Sequence, residues 1–147
     1  MRQKTTISER VLVFSVTLAL LLLVFGMPSR AEDNAVSQWR DLVSDHFPQG
    51  QVDRALAIIQ CESHGDPMAH NGRDPGTGSY GLFQINSGWV KGFILESGVR
   101  SHNRSLNSNV HGVSSTDDLY DPYLNVASAA YIQSNYGWKQ WSCHGKV

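Results

Sequence analysis

The sequence predicts a small, mostly helical domain with long connecting loops and one short β or tight-turn segment. Three observations carry that expectation. Apolar residues recur at steps of three and four in three separate runs. Stretches rich in Gly, Pro, Asp, Ser and Asn divide those runs. Only one apolar segment, Tyr80 to Asn86, is too short for periodicity to decide between strand and turn.

The N-terminus is set apart from the fold. Arg2, Lys4 and Arg10 precede an almost wholly apolar run from Val11 to Phe25, and Gly26, Pro28 and Ser29-Arg30-Ala31 follow. This is the three-part pattern of a secretion signal cleaved after Ala31. The alternative is a membrane anchor. Fifteen helical residues reach roughly 22 Å, short of the ~30 Å hydrocarbon core. Residues 1–31 are thus read as a signal peptide and 32–147 as the functional domain. That domain keeps 8 of the 12 basic and 12 of the 13 acidic residues, a net charge of about −4. Such a balance gives no footprint for nucleic acid. Hydrophobic residues at 41% exclude a disordered chain.

Within the domain, Val36, Trp39, Val43 and Phe47 predict a helix over 35–47 that Pro48 stops. Val52, Ala55, Leu56 and Ile59 predict a second over 51–63, ended by Gly65 and Asp66-Pro67. Residues 71–79 read as a loop. Trp89 to Leu95 reads as a short helix weakened by Gly92, and 96–114 as a long surface loop. Asp121 is placed to cap a third helix, with Pro122 at its first position and Gly137 at its end. The tail, Trp138 to Cys143, brings aromatics beside the second cysteine.

Two cysteines in an exported small domain favour one disulfide, with two free thiols as the alternative. The loop it would close spans most of the domain, and the chain-entropy model gives roughly 4–5 kcal/mol for a loop of that size as an upper guide. No C-x-x-C or H-x-x-x-H spacing suggests a metal, and no cofactor motif occurs.

Glu62 asks for a chemical explanation. It follows Ile59 by three residues and Ala55 by seven, so it shares their side of the helix, near its negative end. A carboxyl partly withdrawn from water there holds its proton more tightly, which suits a general acid near neutral pH. The alternative is an ordinary surface Glu on a helix flank.

Three blocks tip the balance. Ala57-Ile58-Ile59-Gln60-Cys61-Glu62-Ser63 with Asp66-Pro67, then Ser79-Tyr80-Gly81-Leu82-Phe83-Gln84-Ile85-Asn86, then Asp121-Pro122 with Asn125 to Ile132, occur in order over about residues 50–143. Together they resemble the lysozyme-like lytic transglycosylases, the soluble lytic transglycosylase domain family. Cys61-Glu62-Ser63, the Tyr-Gly-Leu-Phe-Gln block and Trp138 to Cys143 are also similar to the resuscitation-promoting factor domain.

The resemblance implies an α+β lysozyme-like fold, a Cys61–Cys143 disulfide and a peptidoglycan substrate. It implies a secreted or periplasmic, monomeric murein lyase, without cofactor or stable membrane association once the signal is removed. Glu62 would cleave the β-1,4 bond from N-acetylmuramic acid to N-acetylglucosamine. Ser63, Tyr80, Gly81, Gln84, Asn86 and Tyr131 are the candidate substrate-binding residues, and Tyr80, Trp89 and Trp138 are candidates to stack on sugars. The chain departs from the family where many members carry Ala-Tyr-Asn-Ala-Gly; Trp138 to Cys143 stands there instead. A hydrolase usually adds a second carboxylate, as nucleophile or as base for water. Asp66, Asp74, Asp117, Asp118 and Asp121 are available; Asp66 and Asp121 have ready turn or cap roles, and Asp74, before Pro75 in a Gly-rich loop, is the least explained. Lysozyme-type hydrolysis and a non-catalytic glycan-binding module are the alternatives.

Overall fold

The structure is a computed structural model and describes residues 35–92 and 105–147. The signal-peptide expectation for residues 1–31 lies outside them. So do residues 93–104 of the expected short helix and long loop.

The helix expected over 35–47 is interrupted. Residues 35–37 are helical, a turn follows, and α1 spans Arg40–His46. Trp39 sits at the break, where its indole Nε1 donates to the Gly65 carbonyl at 2.9 Å. α2 spans Val52–Ser63 and buries Val52, Ala55, Leu56, Ile58 and Ile59. It ends at Ser63, as expected, and His64 takes the left-handed capping conformation at φ 55°.

The ambiguous segment is a hairpin. β1 is His70–Asn71, β2 is Ser79–Tyr80 and β3 is Ile85–Asn86, joined antiparallel in that order. Ser79 faces Asn71 on one side and Asn86 on the other. The expected loop at 71–79 therefore begins and ends inside a sheet. Strands of two residues leave no periodic pattern to read.

α3 spans Gly88–Lys91 and stops at Gly92, which has φ 81°. α4 spans Leu106–Asn109. The described part of the expected surface loop is not all surface: Ser105, Leu106 and Val113 are buried. Single apolar residues among polar ones carry no periodicity, so sequence reading misses them.

α5 spans Pro122–Tyr136. Asp121 caps it, its side chain accepting from Leu124 N at 3.0 Å, and Gly137 closes it. Helical turns at Trp138–Gln140 and Ser142–Gly145 complete the chain. α1 packs on both α2 and α5. Phe47, Phe83, Trp138 and Trp141 form one aromatic cluster, with ring centroids 5.4–5.9 Å apart. Offset and edge contacts at such spacing add to burial. Cys61 and Cys143 form a disulfide that ties α2 to the tail, with Cα atoms 6.1 Å apart. No helix among the described residues is long and apolar enough to cross a membrane.

Candidate active site

A cavity of about 670 Å³ opens between the end of α2, the hairpin and the C-terminal turns. That size is in the range of small-ligand sites. Glu62 lines it together with Asn71, Asp74, Gln84, Trp89 and Ser142, among others.

Glu62 is half-buried at the last turn of α2. Its Oε1 accepts from the Cys143 backbone N–H at 3.1 Å and from Ser142 Oγ at 3.2 Å. No described residue bonds Oε2. The apolar side expected from periodicity is there in Ile58 and Ile59, but the carboxyl itself stands at the cleft.

Ser63 is buried behind Glu62. Its hydroxyl donates to Leu82 O at 2.7 Å and to Ile59 O at 3.2 Å, and accepts from Gly65 N. It joins the end of α2 to the hairpin turn, so its polar atom faces protein rather than the cleft. Tyr80 is also behind the cleft. Its hydroxyl donates to Thr77 O at 2.6 Å, and its ring stacks on His70 at 4.6 Å.

Gly81 starts the hairpin turn with φ 71°. A Cβ there would collide with Leu119 O and the Asn125 amide, so the site demands glycine for space as well as for dihedral. Gly81 thus shapes the turn that presents Gln84. Gln84 faces the cavity, its amide anchored by donating to Ala69 O and Gly81 O, both at 3.0 Å. Its backbone too is left-handed, φ 46°, an uncommon state for a non-glycine residue that is characteristic of functional turns.

Asn86 lines the cavity, but its amide is spent on the protein. Nδ2 donates to Pro75 O at 2.9 Å, and Oδ1 accepts from Gly88 N at 2.9 Å. Tyr131 lies on α5, outside the cavity lining. Burial and the neighbouring Tyr136 raise its phenol above the ordinary value. Of the aromatic candidates, Trp89 reaches the cavity wall, whereas Trp138 packs in the core and donates to Gln51 Oε1 at 2.7 Å.

Asp74 shares the cavity with Glu62. Its two oxygens are both taken: Oδ1 by Asn71 Nδ2 at 3.0 Å and Oδ2 by Ser79 Oγ at 2.6 Å. Asp66 closes a local turn through Met68 N, and Asp121 caps α5. Asp118 Oδ2 gathers the N–H and hydroxyl groups of Ser114 and Ser115, and those donors lower its pKa below the ordinary 3.8. Neither Asp117 nor these three carboxylates line the cavity. Among the described residues no group of three His, Cys, Asp or Glu is placed to hold a metal.

Sequence reading missed three contributors. Asn125 is fully buried. Its Oδ1 accepts from Phe83 N at 2.9 Å, and its Nδ2 donates to Tyr80 O at 3.0 Å and Leu119 O at 2.7 Å. This one amide locks the hairpin turn to α5. An Asn set beside Val126 on the inner face of a helix was the available signal. Ser142 and Trp141 reach the site only through tertiary contact, with Trp141 Nε1 donating to Phe83 O at 2.8 Å.

Comparison with curated proteins and with solved structures gives no match. A family model described as a lysozyme-like domain matches residues 45–143, which includes α2, the sheet, α5 and both cysteines. The fold, the paired cysteines and that match agree: the chain belongs to the lysozyme-like domain family, whose enzymes act on peptidoglycan-type glycans.

Proposed function

We propose that this chain is an exported, monomeric enzyme that cleaves peptidoglycan by non-hydrolytic lytic transglycosylation, with Glu62 as its single acid and base. One observation carries the reading. Among the described residues two carboxylates line the cavity, and of these only Glu62 keeps an oxygen that no described residue bonds. A proton donor needs such an oxygen within reach of the bond it breaks.

Glu62 gives its proton to the glycosidic oxygen as the bond to C1 of N-acetylmuramic acid breaks. The N-acetylglucosamine end leaves with that proton. Glu62 then takes the proton of the muramyl 6-hydroxyl as that oxygen bonds to C1. The product is a 1,6-anhydro sugar, and the carboxyl ends protonated, as it began. No water is consumed and no second carboxylate is required. Gln84 offers its side-chain oxygen to sugar hydroxyl and acetamido N–H groups, and Trp89 offers an apolar wall. With about −4 net charge on residues 32–147, affinity would arise from these contacts rather than from attraction to anionic wall polymers.

Lysozyme-type hydrolysis is the second reading, and the presence of Asp74 in the same cavity favours it. Both readings depend on the acid. Glu62→Gln keeps the shape and removes the titratable proton; turnover on purified peptidoglycan should fall about 10²–10⁴-fold. Undiminished turnover would remove Glu62 from the chemistry.

A further inference from the structure

The carboxyl of Glu62 is held by the far end of the chain. Cys61 precedes Glu62 in sequence and is bonded to Cys143, 82 residues later. The Cys143 N–H and Ser142 Oγ both donate to Glu62 Oε1. Disulfide, amide and carboxyl therefore close one small ring across the end of α2. A Glu side chain has three rotatable bonds and samples several rotamers. Two donors on one oxygen select one of them and leave Oε2 for the ligand.

We propose that Ser142 and the Cys143 amide are positioning groups for Glu62, and that the disulfide holds them in place, so that the oxidised chain is active and the reduced chain is not. This rests on Glu62 being the acid and base. The rest of the tail has anchors of its own. Trp141 donates to Phe83 O, Trp138 donates to Gln51, and Arg54 Nη2 donates to His144 O at 3.1 Å. Both indoles are buried. Reduction removes the covalent tie between residue 143 and α2 while the aromatic cluster stays, so the two donors to Glu62 are then placed only by the hydrogen bonds that flank them at Trp141 and His144. A dithiol supplies the two electrons and two protons: the S–S bond breaks, Cys61 and Cys143 become thiols, and the dithiol leaves as a cyclic disulfide. Such an enzyme is idle in a reducing compartment and sets its acid in an oxidising one.

The test compares oxidised protein, dithiol-reduced protein, Ser142→Ala and Ser142→Thr on purified peptidoglycan, with circular dichroism recorded on each. The reduced protein, still folded, should lose about tenfold or more in kcat at unchanged KM, the mark of a displaced reacting group. Reoxidation should restore it. Ser142→Ala should lower kcat a few-fold at unchanged KM, and Ser142→Thr, which keeps the hydroxyl, should recover it. Full kcat in folded, reduced protein overturns the proposal. Should reduction unfold the chain, the Ser142 pair decides with the disulfide intact: Ser142→Ala at wild-type kcat overturns it. Full activity in Glu62→Gln instead strikes the acid assignment itself, a failure separate from that of the disulfide.

Discussion

The two walls of the cleft are built by different means. The wall that bears Glu62 is a three-turn apolar helix cross-linked by a disulfide and backed by stacked aromatics. The opposite wall is three two-residue strands and a Gly-rich loop, held by side-chain amides and hydroxyls bonded to backbone. Burial and a covalent link make the first stiff. Solvent reaches much of the second, whose hydrogen bonds each contribute only about 1 kcal/mol net. The contrast fits the proposed division of tasks: Glu62, the proposed acid, sits where position must be kept, and the polar groups proposed for sugar sit where local adjustment is cheap.

The largest effect should come from the residue that joins the walls. Asn125→Ala leaves Phe83 N–H, Tyr80 O and Leu119 O without partners in the core. Thermal unfolding should show a loss of about 4 kcal/mol. A loss below about 1 kcal/mol would mean the walls do not depend on that amide.

Ser79→Ala tests the loop wall alone. It removes the short bond to Asp74 Oδ2, and should cost about 2 kcal/mol, as for a hydrogen bond to a charged group. If the division of tasks holds, KM should rise while kcat stays. An equal fall in kcat would mean that this wall also sets the acid.

Asp118→Ala lies apart from both walls and should cost about 1 kcal/mol at neutral pH, as for the loss of a cap. Its carboxyl is more acidic folded than unfolded. The contribution is therefore complete above about 3.8 and fades as pH falls through the lowered folded value. Unfolding curves of variant and wild type should converge in strong acid.

The smallest effect is of opposite sign. Ser128 is fully buried on α5, and among the described residues its hydroxyl has no partner. Ser128→Ala should leave stability unchanged or raise it by up to about 1 kcal/mol. Clear destabilisation in denaturant titration would show that the hydroxyl is satisfied in solution.

The same contrast explains what was legible. α2 and α5 announce themselves, because burying one face of a helix imposes a period and caps mark its ends: Val52 to Ile59, Asp121 and Gly137 carry those signals. The Cys61–Cys143 pairing and the presence of Glu62 at a helix end were also readable. The hairpin was not, since its strands are two residues long and are held by the side chain of Asn86 within β3 and by Asn125 from α5. Leu106 and Val113 entered the core as isolated residues. Ser142 stands 80 residues from Glu62, and no local pattern links them. Side chains such as Ser63 and Tyr80, grouped with the substrate by motif, serve instead to fasten the turn behind the cleft.

The central claim is that Glu62 works alone. Mass spectrometry of muropeptides released from purified peptidoglycan by wild type and Asp74→Asn tests it most directly. Anhydromuramyl ends, lighter by one water than reducing ends, are predicted from both proteins. Reducing ends from wild type that vanish in Asp74→Asn would contradict the claim and make Asp74 the second carboxylate of a hydrolase.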